Sequence, residues 1–195
     1  IKKLRKETLD NILFISAITT IALLIDVITG CNLIKSSILG YDPIVGARYY
    51  GVGNEYMGVL IASTLVFATA MLDRFHIRPI WAVPTFILTT AIIGYPKWGA
   101  NVGGTITAVV AFMFVSLRLF KLKIRLKQWV IIGILVCCIV AFMAFIDTYL
   151  LQSQSHLASA IQQIKEGGFA VILMIIQRKI AMNMMLIGIT IWSWV

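Results

Sequence analysis

Five stretches of this chain run 14 to 20 residues without a charged side chain: Ile12–Ile25, Tyr56–Leu72, Pro79–Pro96, Trp98–Leu117 and Gln128–Ile146. A helix rises about 1.5 Å per residue, so roughly 20 apolar residues, with a lower limit of about 17, cross a hydrocarbon core. Backbone amides cannot stay unpaired in lipid, and helices satisfy them within the segment. The fold class implied is all-α: a polytopic transmembrane helical bundle of five to six spans. A composition of 60% hydrophobic and 13% charged residues fits no soluble domain of this size.

With so much of its length in spans, residues 1–195 are expected to form a single transmembrane domain. The chain begins without Met and ends on Thr190-Ile191-Trp192-Ser193-Trp194-Val195, inside an apolar run, so it reads as a piece of a longer protein. A net charge of +9 would point to nucleic acid in a soluble protein. Here the basic residues hug the ends of apolar segments, and no aromatic–basic ladder accompanies them. Anchoring and orientation explain them, and no nucleic-acid partner is expected. Of the three cysteines, Cys137 and Cys138 are adjacent in one apolar run and Cys31 stands alone, so neither a disulfide nor a metal site is expected. No cofactor is expected either.

The cations are lopsided. If the first segment starts in the cytoplasm, Lys2, Lys3, Arg5, Lys6, Arg74, Arg78, Arg118, Lys121, Lys123, Arg125 and Lys127 lie inside, eleven against Lys35, Arg48, Lys97 and Lys165 outside. Arg178 and Lys179 belong to a segment of unclear placement. The positive-inside bias favours this orientation. Three segments rich in polar, glycine and aromatic residues, Gly40–Gly58, Gly94–Gly104 and Asp147–Gly168, then share the outer face.

The first of these is the most unusual. Asp42-Pro43 sets up a turn, and Gly51 and Gly53 permit backbone conformations closed to other residues. Glu55 suits the positive end of a helix that begins there. Capping alone accounts for Glu55. The functional alternative makes Arg48 an anion fork with Asn54 and Glu55 as hydrogen-bonding or proton-transfer groups. Gly51-x-Gly53 is no dinucleotide fingerprint, since neither a strand nor a third glycine accompanies it. The second loop, Gly94-Tyr95-Pro96-Lys97-Trp98-Gly99-Ala100-Asn101-Val102-Gly103-Gly104, echoes the first loosely, at an offset of 53–54 residues. Its glycines serve close helix packing or a site; Lys97 binds an anion or reaches for headgroups.

Asp26 lies about one turn short of the outer end of the first span. Either it reaches the headgroups, or it pairs with Arg48 or Lys97. Ile28-Thr29-Gly30-Cys31 resembles a lipobox, but Glu7, Asp10 and Asp26 argue against a signal peptide. His76 falls on the basic inner turn, where a solvated role is expected, and Pro84 near the inner end of a span. After the fifth span, Ser153–Glu166 carries Leu157, Ile161 and Ile164 on one stripe and ends at Gly167-Gly168, the pattern of an interfacial amphipathic helix. His156 on its first turn titrates near neutral pH and shares the outer face with Asp147, Glu55 and Arg48. Gln177-Arg178-Lys179 interrupts the final apolar stretch, so a sixth span is expected to begin near Met182, with Trp192 and Trp194 as an interfacial pair.

Gly46-Ala47-Arg48-Tyr49-Tyr50-Gly51-Val52-Gly53-Asn54-Glu55-Tyr56-Met57-Gly58, Gly99-Ala100-Asn101-Val102-Gly103-Gly104, Ser155-His156-Leu157 and Arg178-Lys179-Ile180-Ala181-Met182-Asn183 together resemble an uncharacterised group of bacterial polytopic membrane proteins. The resemblance implies the bacterial plasma membrane and no established activity. Some relatives attach a phosphatase-like ectodomain upstream, so a fused or partner extracytoplasmic domain is an expected associate.

Three functions compete. The first is an extracytoplasmic site that binds or processes an anionic, lipid-linked cell-envelope intermediate carrying glycan or phosphate. In it Arg48, Asn54, Lys97 and Asn101 bind substrate, and Glu55, Asp147 and His156 are the acid/base candidates. The second is a transporter with Asp26, Glu55 and Asn101 along its pathway; the scarcity of charge inside the spans weighs against it. The third is a non-catalytic anchor or assembly subunit, for which the loop glycines matter and Arg48 and Glu55 tolerate change. The first is preferred.

Overall fold

The structure, a computed structural model, describes residues 2–37 and 51–146 and, of the C-terminal part, residues 168, 170, 171, 173–178, 180, 181, 184 and 185. The chain forms two compact units, Ile1–Ile146 and Asp147–Val195. In the first, helices α1 (Lys2–Ile28), α2 (Asn32–Lys35), α3 (Asn54–Phe75), α4 (Ala82–Gly94), α5 (Val102–Leu119) and α6 (Leu126–Phe145) follow one another, with a 3-10 turn at Pro79–Trp81 before α4. Among the described residues no strand occurs.

Helices α1 and α3 overrun their uncharged stretches at both ends, whereas α5 and α6 overrun theirs at one end only. Helix α1 starts at Lys2, ahead of the apolar run, because Lys2–Asp10 holds good helix formers and neither Gly nor Pro. Four helices are long and apolar enough to cross a membrane: the Lys6–Ile28 part of α1, α3, α5 and α6. The stretch expected to give a third span of similar length instead gives the shorter apolar helix Pro79–Gly94. Proline at the first position of the 3-10 turn and Pro84 in the first turn of α4 are tolerated, since the amides they lack would have had no helical partner.

Successive long helices run antiparallel, and the pairs that join them fix the order. Asp10 of α1 forms an ion pair with Arg74 of α3 at one end of the bundle. Further along the same interface, Thr20 Oγ1 donates to Ser63 Oγ at 3.1 Å. The hydroxyls of Thr64 and Thr89 meet at 3.4 Å between α3 and α4. Phe86 and Phe112 stack between α4 and α5 with centroids 4.5 Å apart and planes 8° from parallel. Phe114 and Trp129 lie 6.4 Å apart between α5 and α6. One end of the bundle thus holds Arg74, Arg118 and the Lys121–Arg125 connector; the other holds Asn54, Gly99 and Asn101.

The interior is narrow. Leu60, Ile93, Val27 and Val52 are fully buried, and so are Thr20, Thr64, Thr89 and Thr105. Small hydroxyl residues let helix backbones approach where lipid supplies no hydrophobic drive. Thr64 Oγ1 donates to the Leu60 carbonyl at 2.7 Å and Thr105 Oγ1 to the Asn101 carbonyl at 2.8 Å, so burial leaves these donors bonded. Outward, Phe14, Ile15, Ile18, Ile21 and Ile25 of α1 are all exposed, the surface expected of a helix solvated by lipid. Helix α6 is the least buried: Ile132 and Met143 face inward, and Cys137 and Cys138 are exposed.

Asp26 does not reach outward to the headgroups, as one expectation from sequence had it. At 3% exposure it is buried, and its carboxylate faces the chain's own backbone. Past Ile28 the chain reverses through Gly30 at φ 106° and Cys31 at φ 61°, folding α2 back onto the end of α1. The first-turn amides of α2 then point at Asp26: Leu33 N–H donates to Oδ1 at 2.8 Å and Ile34 N–H to Oδ2 at 3.1 Å. A buried carboxylate is sustained by charge-assisted bonds of this kind. No ion pair links it to Lys97, and Arg48 lies outside the described residues. Cys31 and Ile34 are buried in the same core as Val27.

In the second unit, residues 173–178, 180 and 181 are helical. The amphipathic stretch 153–166 and Trp192 and Trp194 lie outside the described residues.

Replacing Asp26 by Ala leaves two amides without acceptors, one of them fully buried; each such group costs about 1–3 kcal/mol. Asp26→Ala is expected to lower the apparent melting temperature in detergent micelles markedly. Asp26→Asn, which keeps one acceptor oxygen, should lose less. Size-exclusion chromatography after graded heating reads both.

Candidate functional site

At the glycine-rich end, two loops bind each other through backbone groups and one side chain. Helix α4 finishes at Gly94, and its orphan carbonyls are taken by the following turn. Tyr95 N–H donates to Ala91 O at 2.8 Å, Gly99 N–H to Ile92 O at 3.1 Å and Asn101 N–H to Ile93 O at 3.1 Å. This folds Pro96–Ala100 tightly over the helix end, as the accounting of helix termini requires. Gly99 has to be glycine: a Cβ there would meet the Ile92 carbonyl oxygen at 2.7 Å. Ala100 sits at φ 46°, a left-handed conformation that costs an L-residue roughly 1–2 kcal/mol.

Against this turn lies Gly51-Val52-Gly53. Val52 N–H donates to the Gly99 carbonyl at 2.8 Å, and the Val52 carbonyl accepts from Asn101 Nδ2 at 2.9 Å. Val52 is therefore held through both of its backbone polar groups by the second loop. Gly51 adopts φ 80°, and a Cβ on it would run into the Gly99 carbonyl group and Ala100 Cβ. Asn101 carries the connection further. Its Oδ1 accepts from Gly104 N–H at 2.7 Å, capping α5, while Nδ2 also reaches Asn54 Oδ1 at 3.4 Å. One buried carboxamide thus joins the start of α5, the loop before α3 and the first residue of α3.

The expected site residues separate into two kinds. Asn101 is 3% exposed with both side-chain heteroatoms engaged inside the protein, so its action on any ligand is indirect. Asn54, Glu55 and Lys97 are exposed. The Asn54 carboxamide oxygen faces Asn101, which leaves its two N–H donors for other partners. Glu55 occupies the first turn of α3, where the helix dipole favours its negative charge. Lys97 lies two residues before Gly99. The bonded loops bring these three side chains to one end of the bundle, with both signs of charge and a neutral amide. Arg48, Asp147 and His156 lie outside the described residues. Among the described residues, no group of His, Cys, Asp and Glu could hold a metal ion.

Two features escaped sequence reasoning. Val52, an ordinary apolar residue, serves as the backbone clasp. Its signal is weak, since any residue between two such glycines could fill that place. Beside the loops, α4, α5 and α6 enclose an apolar cleft of about 370 Å³ that ends at Tyr95 and Pro96. Asn101, expected as a substrate-binding residue, is an N-cap; the signal that could have shown it is an Asn just ahead of an apolar helix.

Gly51→Ala is expected to destabilise the bundle, because backbone atoms block its Cβ and φ is positive. Gly103→Ala should be neutral or gain up to about 1 kcal/mol in helix propensity, since the nearest atom to its Cβ is Asn101 Oδ1 at 3.6 Å. Asn101→Ala should cost more than the ~1 kcal/mol typical of a lost cap, because the Val52 carbonyl also loses its donor. Thermal unfolding of the three variants in one detergent ranks them.

In comparisons with protein-family models, curated proteins and solved structures, nothing matches this chain.

Proposed function

We propose that this chain is a multi-pass protein of the bacterial plasma membrane, N-terminus cytoplasmic, whose glycine-rich end forms an extracytoplasmic site for an anionic, lipid-linked cell-envelope intermediate. The observation that carries this reading is the Asn101 clasp. It ties together the two loops that carry Asn54, Glu55 and Lys97 at one end of the bundle, and ionisable groups at a membrane boundary are site candidates. The distribution of cations supports the orientation, since the opposite end carries Arg74, Arg118 and the basic connector.

In this reading Lys97 attracts the anionic group and Asn54 donates hydrogen bonds to it. Arg48, four to seven residues before Val52, Asn54 and Glu55 in sequence, adds a bidentate fork. Glu55 exchanges a proton with the reacting group, with Asp147 and His156 as further acid/base groups. Asn101 is a positioning residue. The five to six spans and the interfacial helix near His156 belong to the same proposal. A transport path is less well supported. The buried polar groups of the described bundle are mainly hydroxyls bonded within their own helices or to a neighbouring helix, and Asp26 is occupied as a cap.

Arg48→Ala, Asn54→Ala and Glu55→Ala, each in the full chain and each inserted at normal levels, are expected to abolish activity or produce an envelope defect. An anchor would tolerate all three. Unchanged growth, envelope composition and lipid-intermediate pools in all three strains would end the proposal. So would a reporter at Lys97 that faces the cytosol.

A further inference from the structure

The cleft between α4, α5 and α6 plays no part in the polar chemistry proposed above, yet it ends at the same loops. Its lining runs from Val83 and Ser116 to Tyr95 and Pro96, with Ile139 and Met143 of α6 on the far side. Twelve residues separate Val83 from Tyr95, about 18 Å at the helical rise. A hydrocarbon core is about 30 Å thick, so the cleft is as deep as one leaflet. Both threonine hydroxyls in it are already used: Thr90 Oγ1 donates to Phe86 O at 2.8 Å and Thr105 Oγ1 to Asn101 O at 2.8 Å. Apart from Ser116 and the Tyr95 hydroxyl, what remains is apolar, including both rings of the stacked Phe86–Phe112 pair. Next to Pro96 at its mouth stands the exposed cation Lys97.

We infer that this cleft holds the hydrocarbon tail of an anionic lipid from the leaflet at the glycine-rich end, with the headgroup phosphate at Lys97. The inference rests on the reading of that end as a site for a lipid-linked anion, and it makes the tail part of what is recognised. A tail on a convex helix face touches protein on one side only. A tail in the cleft touches three helices, and dispersion contacts accumulate with each wall. Depth, apolar walls and a cation next to the mouth match one amphiphile: a long chain under a negative head. The Asn101 clasp sets the mouth, because Thr105 in the lining is bonded to Asn101 and Tyr95 and Pro96 belong to the turn that Asn101 closes.

The test uses the full chain reconstituted in phosphatidylcholine vesicles doped with a lipid that carries a diazirine in mid-tail, under either a phosphatidylglycerol or a phosphatidylcholine head. Crosslinked residues are located by mass spectrometry. The anionic probe is expected to label Met113, Leu135 and Ile139 in preference to Phe14, Ile18 and Ile21 on the exposed face of α1. Ala91→Trp fills the cleft from its exposed rim and should remove labelling there while leaving the α1 face labelled. Lys97→Ala should reduce the preference for the anionic over the zwitterionic probe about fivefold, the ~1 kcal/mol that a basic residue contributes near an anionic surface. Uniform labelling around the bundle, equal labelling by both heads, or cleft labelling that survives Ala91→Trp would each overturn the inference. So would protein–protein crosslinks from a photoreactive residue at Ile139 in place of lipid adducts. Selective cleft labelling together with silent Arg48, Asn54 and Glu55 variants removes the reaction and leaves the lipid site standing. The reverse pattern removes only the cleft.

Discussion

A single carboxamide governs the glycine-rich end of this bundle. Asn101 donates to the Val52 carbonyl and to Asn54 and accepts from Gly104 N–H. The constraint beneath it is general: where water is scarce, each backbone N–H and C=O needs a protein partner. A loop at the end of a helical hairpin has no ladder to supply one. Here the loops supply each other, and Asn101 closes the pairing that Val52 N–H and the Gly99 carbonyl begin. The glycines follow from that closeness rather than from any need for mobility, since Gly51 and Gly99 have backbone atoms where a side chain would begin.

The same rule accounts for Asp26. A charge in the apolar part of a helix is costly unless its bonds are complete. The short helix α2, turned back by Gly30 and Cys31, presents its first-turn amides and completes them. The Asp10–Arg74 pair at the other end is of a different kind. Its side chains are 44% and 27% exposed, and a pair so accessible contributes at most about 1 kcal/mol. Its value lies in alignment of α1 with α3, already set by Thr20 and Ser63.

Helix α4 links the polar end to the apolar cleft. It is shorter than its neighbours, and its last turn is held by the loop that carries Lys97 and Asn101. A change in occupancy of the cleft therefore bears on Tyr95 and Pro96, and through them on the turn that Asn101 closes. The cleft and the polar groups thus share one turn, Pro96–Ala100, which follows the end of this helix.

The helices and their approximate positions were legible in sequence because a bilayer imposes a length and a polarity that are local properties of the chain. Uncharged runs read directly as helices. The boundaries were less legible: charged formers such as Lys2–Asp10 extend a helix past its apolar part. Partnership was not legible at all. Asp26 offered headgroups or a distant cation as partners, and found two amides seven and eight residues along its own chain. Asn101 carried no mark that Val52, 49 residues earlier, would be its acceptor, and nothing in Val83, Phe112 or Ile139 announced a shared cleft. Sequence alone determined that these segments are helical and apolar. Which polar atoms meet was decided only by tertiary packing, because hydrogen bonds join atoms near in space, and the turns that bring them near depend on both sides of the contact at once.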